Sequence, residues 1–189
     1  MEPQQFRAVI VAAKAGDDAA FEKLLDLYAR RLYGYFFRAT ASHHDAEDLL
    51  SDLMLRLVRT LKRYDHRGRF EPWLFRIAAN MVRDRIRRRK ARPTPVSLSA
   101  ETGGGAALGD QLPGAAANID AHMLAGETSA ELNEALQKLD VATREMVLLR
   151  YFGEMSFKEL AGIFRCPIGT VLARVHRGLK SLRKVMGKT

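Results

Sequence analysis

The sequence is short of the groups on which most enzymes and membrane proteins depend. One cysteine, Cys166, occurs in 189 residues, which excludes an internal disulfide and a cysteine-based zinc cluster and reads as a small apolar filler of a turn. There is no glycine-rich phosphate loop after a strand, no Ser/His/Asp constellation, and no His or Cys at metal-ligand spacing. The adjacent His43 and His44 do not share a helix face, so they read as solvated cap residues rather than ligands. No apolar run is long enough to span a bilayer, and MEPQQFRAVI lacks the basic start and apolar stretch of a signal peptide. No enzyme activity, metal, cofactor or membrane insertion is expected, and residence is expected to be cytoplasmic.

Negative charge is missing in one place above all. From Leu160 to the end there is no Asp or Glu, while Arg165, Arg174, Arg177, Lys180, Arg183, Lys184 and Lys188 all lie there. Such one-signed charge repels itself unless a polyanion relieves it. The formal net charge of +9 agrees and points to nucleic acid or an anionic membrane surface.

That cationic segment has a definite pattern. Ser156 with Glu159 forms a capping box, so a short helix should begin there and bury Phe157, Leu160, Ala161 and Phe164. Arg165 and Cys166 make a turn, and Pro167 suits the first position of a second helix. In that helix Val171, Val175, Leu182 and Val185 face inward, whereas Ala173, Arg177, Lys180 and Lys184 fall on the opposite side. Two short helices around a tight turn, the second basic on its outer face, form a helix-turn-helix. An ordinary solvated amphipathic helix would also carry charge on one face, but not charge of a single sign over thirty residues.

The rest of the chain is helical by period, with no strand-like alternation. Phe6, Val9, Ile10 and Ala13 predict a first helix ending near Gly16, and Asp17 and Asp18 supply caps for a second, from about Ala19 to Thr40. Ser42 with Asp45 predicts a third helix reaching about Tyr64, sealed by Leu49, Leu50, Leu53, Leu57 and Leu61. Its acidic start, Asp45, Glu47, Asp48 and Asp52, either complements the helix dipole or forms a ridge for a basic protein surface. A loop over Asp65–Phe70 precedes a helix over about Glu71–Lys90, with Pro72 at its first position. Its outer face carries Arg76, Asn80, Arg83 and Arg87. Tyr64, Phe70, Trp73 and Phe75 interleave with these cations, as base-stacking platforms would, although Trp73 and Phe75 fit a core equally well. Asp84 among the arginines reads as half of an Asp–Arg pair.

Composition turns to Gly, Ala, Pro and Ser beyond Pro93, which marks a flexible linker. Leu132, Ala135, Leu136 and Leu139 resume the helical period, and Thr143 predicts the cap of a helix that closes at Gly153. The expected architecture is all-α: two small helical domains, residues 1–92 and 127–189, joined by a linker over 93–126.

Three strings in this order resemble the sigma-70-type factors of the extracytoplasmic-function (ECF) group, over nearly the whole chain. DAEDLLSDLMLRL (Asp45–Leu57) is similar to the region-two helix that docks on the clamp helices of RNA polymerase. WLFRIAANMVRDRIRR (Trp73–Arg88) is similar to the helix that reads the minus-ten promoter element and helps melt it. FKELAGIFRCPIGTVLARVHRGLKSLR (Phe157–Arg183) is similar to the region-four reader of the minus-thirty-five element.

The resemblance implies core-polymerase docking by Asp48, Leu49, Asp52 and Leu53. It implies minus-ten contacts by Asn80 with Arg76 and Arg83, Arg87 extending the same face, and capture of a flipped base by the loop Asp65, His66, Arg67, Gly68, Arg69 and Phe70. It places Leu172, Ala173, His176 and Arg177 toward minus-thirty-five bases, and Thr170, Arg174 and Lys180 toward phosphates. Ser51, Leu172 and Ala173 depart from the family's usual Gln, Lys or Arg, and Ser. The last two imply base choice through methyl contacts or DNA shape. Core RNA polymerase and promoter DNA are the implied partners, with an anti-sigma protein as a third. The competing readings are a stand-alone helix-turn-helix regulator that binds duplex without polymerase, and a recombinase or nuclease whose nucleophile the sequence does not reveal.

Overall fold

The computed structural model describes residues 2–65, 69–91 and 130–186, which form eight helices and no strand. The expected linker 93–126 and His66–Gly68 lie outside the described residues.

Helices α1 (Pro3–Ala15) and α2 (Asp18–Thr40) form a hairpin. Gly16 closes α1 at φ 96°, a left-handed conformation that costs glycine nothing. Asp17 then caps α2 by accepting from the Ala20 N–H. Ser42 caps α3 (His43–Leu61) by accepting from the Asp45 N–H. Helix α3 stops at Leu61 rather than Tyr64, and α4 (Phe70–Ala91) begins at Phe70, two residues before Pro72. Proline is still tolerated there, because a first-turn N–H has no partner in the helix.

Leu49, Leu53, Leu57 and Leu61, one turn apart, bury a single stripe of α3 against Leu32, Tyr35 and Phe36 of α2 and Leu74, Phe75 and Ala78 of α4 in one core. Each such side chain is worth about 1.5–3 kcal/mol when removed from water. Beside it, Phe6, Tyr28, Tyr64, Phe70 and Trp73 form an aromatic cluster, with the Tyr64 and Trp73 centroids 4.5 Å apart. Tyr64, Phe70 and Phe75 are buried and Trp73 is half-buried. The expected stacking platforms are therefore core, because they lie on the inner face of α4 and at the entry to it.

The C-terminal half comprises α5 (130–137), α6 (Val141–Phe152), α7 (Phe157–Phe164) and α8 (Ile168–Met186). Asp140, not Thr143, caps α6. Its carboxylate accepts from the Thr143 N–H while Thr143 itself is buried. The predicted capping box is present: Ser156 accepts from the Glu159 N–H and the Glu159 carboxylate accepts from the Ser156 N–H. Arg165 turns the chain at φ 50°, and the Pro167 carbonyl accepts the first bonds of α8, so the proline precedes the helix, which starts one residue later than the sequence suggested.

Helix α6 buries Met146, Val147, Leu148 and Leu149 in succession. A helix apolar on every side must be covered on every side, and α6 lies between α8 and the N-terminal helices α2 and α4. Gly178 permits the close approach of α8, since a Cβ there would stand 2.9 Å from the Thr143 methyl group.

Candidate nucleic-acid interface

Valines at positions 171 and 175 and Leu182 anchor α8 from within. The opposite face therefore presents Leu172, Ala173, His176, Arg177 and Lys180 to solvent, with Thr170 exposed in the first turn. All the residues expected to read the upstream element thus lie on one accessible side of one helix. Arg174 stands apart, because its guanidinium donates to Asp140 at 3.1 Å. Hydrogen bonds from Thr143 hold that Asp140 carboxyl below the usual carboxylate range, with Arg174 adding to the effect. Arg177, Lys180, Arg183 and Lys184 have no carboxylate partner among the described residues.

Helix α4 presents its cations differently. Arg76, Asn80 and Arg87 are exposed as expected. Arg83 is not free: its Nε stands 2.7 Å from Glu145 Oε1 of α6, and its guanidinium lies 5.1 Å from the centroid of Phe164. Burial pushes the Glu145 carboxyl up, an effect that Arg83 partly offsets. Arg87 donates to Asp84 at 2.9 Å, the anticipated Asp–Arg pair. Arg85 donates to Asp45 at 3.0 Å and to Asp48 at 2.9 Å, and Arg89 stands 3.7 Å from Asp45. The hydrogen bonds to Asp45 raise the Arg85 guanidinium pKa above its ordinary value.

Two expectations for α3 need correction. Leu49 and Leu53 are 4% and 0% exposed; they hold the helix from inside and are not on its accessible face. Asp48 is half-exposed and engaged by Arg85, whereas Asp52 is exposed. The accessible ridge instead contains Leu55 and Val58, 64% and 49% exposed, apolar positions that the leucine seam masked in the sequence. Phe70, expected in the loop, opens α4 and is fully buried, while Arg69 just before it is exposed and donates to Glu159 at 2.9 Å. Among the described residues no His, Cys, Asp and Glu gather to hold a metal, and no helix is long and apolar enough to cross a membrane.

The described residues are helical, with a basic helix-turn-helix at the C-terminal end and a second basic helix in the N-terminal half, an arrangement found in the class of helix-turn-helix DNA-binding proteins. Comparison with known proteins narrows it: residues 24–92 match Sigma-70 region 2 and residues 129–182 match Sigma-70, region 4. The chain is 32% identical over 177 residues to the ECF RNA polymerase sigma factor SigW of Bacillus subtilis, covering 93% of each. It is 33% identical over 174 residues to the RNA polymerase sigma factor CarQ of Myxococcus xanthus, covering 92% of each. The fold is that of CnrH in its complex with the cytosolic domain of CnrY, with a TM-score of 0.65, 22% identity, and 96% of this chain and 97% of that one covered. The chain belongs to the sigma-70 family of transcription initiation factors, in its extracytoplasmic-function group.

Proposed function

We propose that this subunit directs core RNA polymerase to promoters through three separate surfaces. Helix α8 reads the minus-thirty-five element with Leu172, Ala173, His176 and Arg177, while Thr170, Arg174 and Lys180 hold phosphates. Helix α4 contacts the minus-ten element through Arg76, Asn80, Arg83 and Arg87, and the loop from Asp65 to Arg69 captures an unstacked base. Trapping that base repays the few kcal/mol of unstacking and so helps open the duplex. The ridge of α3 docks on polymerase through Asp52, Asp48, Leu55 and Val58. The observation that carries the reading is the face of α8, where base-contacting and phosphate-contacting residue types sit together in solvent with no acid among them.

Polymerase supplies catalysis and this subunit supplies sequence choice. Two weak DNA contacts on one chain raise each other's effective concentration. An anti-sigma protein is a further partner, supported by the complexes named for CnrH and for the Bartonella quintana sigma factor RpoE with NepR.

Transcription from genomic DNA with purified chain and core polymerase should start at discrete sites, and core alone should give none. Charge reversal at Asp52 should abolish those chain-dependent starts. Tight site-specific duplex binding with no effect on polymerase would instead support a stand-alone regulator.

A further inference from the structure

Helix α8 divides into two zones along its length. Its later turns carry Arg177, Lys180, Arg183 and Lys184 in solvent. Its first two turns expose Ile168, Gly169, Leu172 and Ala173 instead, and none of these four has a side chain that can donate or accept a hydrogen bond. The exposed hydroxyl of that stretch, on Thr170, lies about half a turn away from Ile168 and Leu172, on the flank of Arg174.

Two features of the first zone have no cause inside the domain. Ile168 and Leu172, one turn apart, are 49% and 43% exposed, whereas Val171 and Val175 on the same helix are buried. The apolar anchors that α8 needs are therefore already supplied, and this pair is left over. Gly169 is the second feature. It is exposed in helical backbone, and a Cβ built on it meets nothing within 4 Å. Neither packing nor a left-handed turn requires glycine there, although glycine disfavours a helix relative to alanine. What glycine does supply is room for another molecule to approach the backbone closely.

The surroundings select the kind of molecule. No carboxylate follows Glu159 in the chain, and every charged side chain of α8 is a cation, so a polyanion suits this face and a basic protein surface does not. The N-terminal turns of a recognition helix are the part that meets base edges in the major groove. Those edges present hydrogen-bonding groups, which these side chains cannot use, and one apolar group, the 5-methyl of thymine.

We infer that Ile168 and Leu172 read the 5-methyl groups of neighbouring thymines in the upstream promoter element, with Gly169 giving the base edges close access to the helix. The inference rests on the promoter reading above and deepens it by naming the base. Ile168 and Gly169 thereby join Leu172 and Ala173 on the reading face. Each methyl group covered by these side chains contributes roughly fourfold in affinity, as expected for one such group removed from water.

The test begins with the full chain in complex with core polymerase, used to select duplexes from a random-sequence pool. A selected fragment is then resynthesised with deoxyuridine in place of thymidine in its upstream element alone, which keeps the base pairing and removes only the 5-methyl groups. Wild type should bind the uracil fragment roughly fourfold more weakly for each methyl group lost at a position that is read. The double variant Ile168→Ala, Leu172→Ala alters only exposed positions, and alanine favours the helix. It should bind the thymine fragment as weakly as wild type binds the uracil one, and should not distinguish the two. Gly169→Ala should raise the urea midpoint while weakening binding of the thymine fragment. Equal binding of thymine and uracil by wild type would overturn the inference, and loss of initiation in the double variant would then mark the apolar pair as a protein contact. Sensitivity to uracil that persisted in the double variant would overturn it as well, leaving DNA shape as the property that is read. Undiminished binding by Gly169→Ala would overturn the close approach. A complex that selects and reads thymines yet starts no transcription on the selected fragment would overturn the promoter reading alone.

Discussion

Helices α4 and α8 carry outer stripes of cations at the same helical steps, yet they hold that charge in opposite conditions. On α8 the carboxylate of Asp140 meets Arg174, while Arg177, Lys180, Arg183 and Lys184 face solvent without an acid among the described residues. On α4, Arg83, Arg85, Arg87 and Arg89 are each met by a carboxylate, from α6, from α3, from α4 itself and again from α3. Charge composition is thus a poor guide to charge availability. One helix keeps most of its outer cations free, and the other has most of them met by carboxylates of its own protein.

The largest effect expected from this contrast is on α8. Arg177→Glu with Lys180→Glu should weaken duplex binding by at least about a hundredfold, roughly 3 kcal/mol, since two attractions become repulsions beside the phosphates. Titration at several salt concentrations should also show a shallower salt slope; an unchanged slope would remove these residues from the backbone contacts.

Arg85→Ala should act on stability rather than on DNA. It strands Asp45, whose side chain is mostly buried, at a cost of about 1–2 kcal/mol after allowance for the solvent that reaches Arg85. Urea denaturation reads this directly, and single-strand affinity should barely move.

Asp140→Ala removes the α6 cap and the Arg174 contact for about 0.5–1 kcal/mol. The Asp140 carboxyl is held below its ordinary range, so its contribution is present above the ordinary carboxylate pKa. It is lost as the pH falls through the lowered value. Wild type and variant should therefore converge in stability in acid, and a gap that widened there would refute the assignment.

The finest distinction lies within α4. Arg76 is exposed, whereas Arg87 is shared with Asp84. Arg76→Ala should lower single-strand affinity several-fold, and Arg87→Ala by less than about twofold. Equal losses would mean that DNA displaces Asp84 at little cost.

What the sequence disclosed was local. Gly16, Asp17, Ser42 and the Ser156/Glu159 box mark helix ends because a cap needs only three or four residues, and the inner stripes of α3 and α8 follow from helical period. The errors arise where the deciding partner is far along the chain. Phe70 read as a platform for bases, and Phe75 as a platform or as core, but Tyr28 and Tyr35 pack against them. The pairing of Asp48 with Arg85, thirty-seven positions on, was likewise not legible locally. The buried run Met146–Leu149 does signal a helix covered on every side, yet nothing local to it says that α2 and α4 supply part of the cover. Thr143 and Asp140 are both good caps, and only the backbone geometry chooses between them.

The chain contains a single tryptophan, Trp73, set in α4 against Tyr64 and Phe70. Its emission therefore reports on the N-terminal half alone, whereas far-ultraviolet circular dichroism sums all eight helices. Superimposable unfolding curves from the two signals would mean that the halves melt as one cooperative body; separated curves would give each half a stability of its own.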